Sequence, residues 1–527
     1  MTRRIWMSRK QEEIGTFNHS RRHRLVGAAL GVLLMAAITS AGAEVTLPSV
    51  LADHMVLQRD RPVHLWGKAG PGEQVRVGFR EHQASTAADM LGRWSLYLPA
   101  ADAGGPFTLT IQGKNRIEFT DVLVGDLWLA SGQSNMEFPM ANNPPWMDGV
   151  QNFQSEIAAA DHPKLRIFKV KTNTSGSPMD DLTAQQTWTA CTPGTVTDFS
   201  AVAYFFGREL LEREKVPIGL IESNVGGTPA EAWTSLDALT SDSSLMPVFA
   251  ARAHMMDQQA KVLLQQKAEK VEIEQAKVEG KAPIQPPWRP DPATWEPAAL
   301  FNAMIAPLTP LPLRGVIWYQ GESNTDPARA PIYAHLFQTM IHDWREHWAQ
   351  GDFPFLYVQI ANFSSVDDWP AVREAQRQTL AVAETGMAVT IDIGNAAKIH
   401  PTDKQNVGHR LALWARAISY GERIEDSGPL FRQAVPEGTR MQVSFDHAGN
   451  GLVAKGGALR GFEVAGADMK FVPAVAMIVG DGVQASSTSV PMPAYVRYGW
   501  AAAPECNLYN VEGLPASPFT SEQRSPD

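Results

Sequence analysis

Five near-continuous apolar runs, spaced along the middle of the chain, constrain its fold more than any other feature. They are "DVLVGDLWLA" (121–130), "PIGLIES" (217–223), "RGVIWY" (314–319), "FPFLYVQI" (353–360) and "MAVTIDI" (387–393). A strand with one face in water alternates apolar and polar residues; a strand covered on both faces does not. Amphipathic stretches lie between the runs: "VAYFFGRELLERE" (202–214), "PIYAHLFQTMIHDWREHWA" (331–349) and "AVREAQRQTLAVAE" (371–384). A last helix is expected over 402–421, with Leu411, Leu413, Ala415 and Ile418 on its apolar face. Buried strands alternating with helices predict an α/β region over 121–426, built on a parallel sheet covered on both faces.

The flanks read differently. Residues 44–120 hold short, partly alternating runs, "PVHLWGKA", "EQVRVGFR", "GRWSLYLPA" and "FTLTIQG", separated by glycine-rich turns. That spacing predicts a β-sandwich-like domain. Similar patterns return over 427–527, followed by a turn-rich end and a disordered tail. A chain of 527 residues is too long for one ordinary core, which fits this division. Residues 251–281 are rich in Ala, Gln, Glu and Lys, and a proline-rich segment follows. They predict a solvated helix or helical hairpin inserted at about 251–290; their apolar positions keep no heptad.

The N-terminus has the layout of an export signal: basic "SRRHR", a 16-residue apolar run from Leu25 to Ser40, then "AGA" at 41–43. Cleavage there places the mature start at Glu44 and localisation in the periplasm or outside the cell, with no membrane attachment afterwards. Residues 1–43 carry seven basic and two acidic side chains, so their loss takes the net charge from −10 to −15. So acidic a chain is a poor partner for nucleic acid. Its two cysteines, Cys191 and Cys506, can pair in an oxidising compartment or remain free thiols.

In an open parallel sheet, ligands bind beyond the carboxyl ends of the strands. Ser134 follows the first run directly. "NVGGTPAEAW" (224–233) follows the second and "QGESN" (320–324) the third, while Asp392 and then His400 follow the last. A serine hydroxyl needs a base within hydrogen-bond reach, and His400, fixed before Pro401, is the candidate. Gly226 and Gly227 have no Cβ, so their N–H groups can approach a developing oxyanion. The Ser134 N–H and the Gln320 amide can complete that hole. Asn135, Glu322 and Trp233 are candidates for binding substrate. Trp146, Trp233 and Trp318 suit either the floor of a sugar pocket or the core. No metal site is expected, because downstream of the leader no two histidines stand at H-x-x-x-H spacing. The chemistry implied is acyl transfer to water.

The motifs "GQSNM" (132–136), "NVGGTPAEAW" (224–233), "WYQGESN" (318–324) and "IHPTDKQNVGHRLAL" (399–413) resemble the sialate O-acetylesterases, a branch of the SGNH hydrolases. Looser likeness extends over 51–67, 199–210 and 507–519, so the resemblance covers nearly all of the mature chain. It implies a three-layer α/β/α domain with a parallel sheet and associated β modules. It also implies removal of O-acetyl groups from carbohydrate without a cofactor, Ser134 as nucleophile, His400 as base, and Gly226 or Gly227 with Gln320 serving the oxyanion. One position departs from the pattern. SGNH enzymes generally carry an Asp three residues before the His, where this chain has Ala397. Asp392 is the nearest upstream acid, Asp403 and Glu322 are weaker candidates, and a Ser–His dyad is the alternative.

The substrate stays open between sialic acid and plant polysaccharide such as xylan or xyloglucan, and the oligomeric state stays open too. A sialate favours Arg or Lys near the serine, and the motif loops are poor in both. A non-catalytic carbohydrate-binding protein has no use for a nucleophile with a base. A general carboxylesterase or lipase calls for a more apolar mouth than "NNPPW" and "NVGGTP" supply.

Overall fold

The computed structural model describes residues 44–144 and 147–522. The leader, Trp146 and the tail 523–527 lie outside the described residues. Seven strands form the central sheet: β1 (Arg116–Gly132), β2 (His162–Val170), β3 (Ala184–Cys191), β4 (Ile218–Asn224), β5 (Gly315–Tyr319), β6 (Phe355–Val358) and β7 (Thr385–Ala388). Their order is β7-β6-β5-β1-β4-β2-β3. All neighbours run parallel except β3, which pairs antiparallel with β2 at the edge. The five apolar runs are therefore the five strands at one side and centre of the sheet. The strands β2 and β3 are additions to the expected set. Charged and polar residues interrupt both, as their half-exposed place at the sheet edge allows. The last strand is shorter than expected, and 389–393 already belong to the loop beyond it.

Helices α1 (Ser134–Glu137), α2 (Ala201–Glu214), α3 (Pro247–Val278), α4 (Tyr333–Trp348), α5 (Trp369–Gln378) and α6 (Lys404–Tyr420) follow in chain order. The caps explain two starts: Ser200 accepts from the Ala203 N–H and Asp403 from the Asn406 N–H. Trp128 packs edge-on against Phe206 of α2, while Trp318 packs against Trp344 of α4. Trp128 and Gly315 are register partners, so Trp318, three residues on, points to the opposite face. Helices therefore cover both faces, as the near-continuous apolar strands require. The helices α2 and α6 meet where a Cβ on Gly408 would stand 2.7 Å from Phe205 Cβ, so only glycine permits that approach.

The N-terminal β region joins this sheet without a linker. The first part of β1 pairs antiparallel with Gly104–Gln112, and its last part lies between β4 and β5, so one 17-residue strand belongs to both regions. Residues 120 and 121 are thus consecutive positions of one strand, not a boundary between two domains. At the other end, antiparallel strands after Leu430 fold back onto the α/β domain. Arg373 of α5, buried and held to a pKa of about 9 by desolvation, donates to the Ala501 and Ala502 carbonyls. Gln359 donates to Ser517 Oγ at 2.9 Å. Cys191 and Cys506 are both free thiols. Among the described residues no helix is long and apolar enough to cross a membrane.

Candidate active site

The strand β1 ends at Gly132, whose φ of +137° turns the chain sharply, and a Cβ there would collide with the Tyr319 backbone. Only glycine allows that turn. Gln133 then leads into the single helical turn α1, which begins with Ser134. His400 sits in the loop beyond β7, four residues before the start of α6. The fold brings the two together: His400 Nε2 and Ser134 Oγ stand 2.8 Å apart, although 266 residues separate them. Ser134 is 9% exposed, so solvent reaches it from one side only.

The glycine pair sits over the serine. A Cβ on Gly226 would lie 3.4 Å from Ser134 Cβ. The Gly226 N–H, however, donates to Glu137 Oε2 at 2.7 Å, so it is not available to an oxyanion. This corrects the expectation for Gly226. Gly227 has a φ of +70° and its N–H has no acceptor among the described residues; its carbonyl accepts from Trp295 Nε1 at 2.6 Å. The Ser134 and Gly227 N–H groups remain as donors.

Gln320 is a second correction. It is fully buried, and both amide hydrogens are spent, on Asn324 Oδ1 at 2.6 Å and the Thr228 carbonyl at 3.2 Å. Its Oε1 accepts from Tyr333 Oη at 2.9 Å. Gln320 braces the loops instead of facing a ligand. Asn135 and Glu322, expected at the substrate, are also buried. Asn135 donates to Glu322 Oε1 at 2.6 Å and to the Ile399 carbonyl at 3.1 Å, and accepts from Lys404 Nζ at 2.6 Å. Burial pushes the Glu322 carboxyl up and pulls the Lys404 ammonium down to about 7. This network ties the serine turn to the carbonyl immediately before His400. Trp233 and Trp318 are fully buried and stack edge-on with each other, so they are core and not a sugar floor.

Asp392 is the third correction. Both of its oxygens accept from Arg410, at 2.7 and 2.8 Å, which fastens the loop beyond β7 to α6. This pairing makes Asp392 an anchor of the His400 loop. Asp403 is a helix cap.

Three residues of this neighbourhood escaped the sequence reading. Glu137 lies three residues after Ser134, one helical turn away, and Lys404 opens the helix four residues after His400. Trp288 comes from the inserted segment: a Cβ on Gly227 would stand 2.5 Å from its Cζ2. Among the described residues one grouping has ligand atoms close enough to share a cation: Glu425, Asp426 and His447, within 4.8 Å of one another. Both carboxylates meet His447 Nδ1 at 3.0 Å and raise its pKa, which favours an imidazolium there over a metal ion.

Comparison with known proteins agrees with this geometry. The family model described as carbohydrate esterase, sialic acid-specific acetylesterase matches residues 260–416. The mouse sialate O-acetylesterase is 30% identical, over 94% of this chain and 98% of its own length. The human one is 32% identical over 77% of each. A solved structure described as a novel carbohydrate acetylesterase from Xanthomonas citri is 40% identical, with a TM-score of 0.78, and is matched over 91% of this chain and all of that one. Fold and relatives define a carboxylic ester hydrolase with an SGNH-like α/β domain. The chain belongs to the sialate O-acetylesterase family, whose reaction is the removal of acetyl groups from carbohydrate.

Proposed function

We propose that this chain is an exported esterase that removes O-acetyl groups from carbohydrate through an acyl-enzyme on Ser134. The 2.8 Å approach of His400 Nε2 to Ser134 Oγ, at the carboxyl edge of a parallel sheet, carries this reading. As Ser134 Oγ attacks the acetyl carbon, its proton passes to His400 Nε2. The carbonyl oxygen takes the negative charge and accepts from the Ser134 and Gly227 N–H groups. The bond from carbon to the sugar oxygen then breaks, and His400 returns the proton to that oxygen, leaving acetyl-Ser134. Water, deprotonated by His400, attacks the same carbon; acetate leaves and the serine regains its proton. Asp392, through Arg410, and Asn135, through the Ile399 carbonyl, hold the His400 loop in place.

None of these steps calls for a cofactor, and the acidic surface suits neither nucleic acid nor an anionic membrane. The leader directs export, so protein recovered from the periplasm should begin at Glu44. The mechanism is tested by acetate release from O-acetylated sialic acid, acetylated xylan, acetylated xyloglucan and 4-nitrophenyl acetate. Ser134→Ala should abolish release from every one of them. Release that survives in that variant refutes the acyl-enzyme.

A further inference from the structure

The inserted segment brings a tryptophan to the mouth of the site. Among the described tryptophans Trp288 alone is exposed, at 59%; the others are buried or half-buried. Its placement is specific. Its ring lies against Gly227, the backbone donor beside Ser134, closely enough that a Cβ at that position would overlap Cζ2. The approach therefore needs a glycine on one side and an aromatic edge on the other.

The segment is fastened where it carries Trp288. Arg289, the next residue, grips Glu269 of α3 through two hydrogen bonds of 2.6 and 2.9 Å. Downstream, Trp295 stands 6.3 Å from the Trp288 ring, donates to the Gly227 carbonyl and lies under the Arg329 guanidinium at 4.8 Å. Arg252 near the start of α3 binds Glu296 at 2.7 Å. A solvated helix of 32 residues with a single buried side chain stabilises little by itself. What it does is hold an exposed indole beside the oxyanion donors.

An exposed aromatic face held rigid offers an apolar, low-entropy contact surface, and the C–H-lined face of a pyranose is its natural complement. The cations around the site are already engaged: Lys398 with Asp148, Lys404 with Asn135, Arg289 with Glu269, Arg329 with Glu231 and Arg410 with Asp392. Among the described residues these pairings leave no guanidinium poised for a sugar carboxylate. We infer that Trp288 is a substrate-binding platform on which the uncharged sugar ring bearing the acetyl group stacks, and that the insertion exists to place it. This rests on the esterase reading above and narrows its substrate to a neutral sugar.

The test compares Trp288→Ala and Trp288→Phe with the unmodified mature protein on three substrates: an acetylated xylan oligosaccharide, O-acetylated sialic acid and 4-nitrophenyl acetate. Loss of one buried indole face should raise KM for the neutral oligosaccharide roughly tenfold in Trp288→Ala. Trp288→Phe should recover part of that loss. For 4-nitrophenyl acetate, which has no sugar to stack, both variants should lose much less kcat/KM than they lose on the neutral oligosaccharide. Arg289→Ala, which unfastens the segment, should shift KM in the same direction. Equal loss on all substrates makes Trp288 a structural wall and overturns the platform. So does an unchanged KM, or a higher kcat/KM for the sialate than for every neutral sugar. Ser134→Ala run alongside separates the two ideas: activity surviving in it defeats the acyl-enzyme, whereas the Trp288 result reads only the sugar contact.

Discussion

Replacing Asn135 with leucine, a side chain of similar size, should cost both stability and turnover, because Asn135 links three loops. Two of its hydrogen bonds go to ionisable partners, Glu322 and Lys404, and one to the Ile399 carbonyl. Bonds to charged groups contribute about 1.5–3 kcal/mol each and a neutral one about 0.5–1.5 kcal/mol. The gross loss is thus about 3.5–7.5 kcal/mol, from which burial of the leucine methyls returns about 1–2 kcal/mol. Asn135→Leu should therefore be destabilised by about 1.5–6.5 kcal/mol, a span that brackets the roughly 3–5 kcal/mol cost of removing one partner of a buried ion pair. The carbonyl released is the one that precedes His400, and a displacement of about 1 Å at a catalytic group can cost about a hundredfold in rate. Urea unfolding followed by tryptophan fluorescence reads the first effect, and kcat on 4-nitrophenyl acetate the second, with KM nearly unchanged. A variant that unfolds at the wild-type urea concentration refutes the energetic argument. A destabilised variant with wild-type kcat refutes the positioning role.

Asp392→Asn should leave Arg410 buried without its counter-charge and lower the unfolding midpoint, while kcat falls far less than in His400→Ala; equal losses of kcat would show Asp392 and His400 acting as one unit. His447→Gln should matter most in acid. Asp426 and Glu425 raise the folded pKa of His447, so its contribution to stability is complete below the unfolded value of about 6.5 and disappears as pH rises through the folded one. Melting temperatures across pH 5.5 to 9 should show the variant's deficit shrinking as pH increases, and a deficit independent of pH would contradict that linkage.

Much of this architecture is legible in the chain because it depends on periodicity. A strand buried on both faces must be apolar throughout, so "DVLVGDLWLA" and "RGVIWY" announce the parallel sheet before any contact is known. The small and polar residues after those runs mark the edge where a site forms, and Ser134 and His400 both lie there. The strands β2 and β3, at one side of the sheet, carried a weaker signal, since residues facing solvent dilute the apolar pattern.

What the sequence by itself determined is which loops meet at the carboxyl edge and which side chains can do chemistry there. Only the tertiary structure decided which way those side chains point. Gln320, Asn135 and Glu322 belong to the motifs, yet they turn inward because buried backbone and charged groups around them need partners. Asp392 turns to Arg410, and the Gly226 N–H to Glu137. Trp288 reaches Gly227 across 60 intervening positions of chain, through a segment that composition marks only as solvated. Hydrogen-bond demand and close approach between distant segments are properties of folded distances. They have no period, so no reading along the chain can contain them.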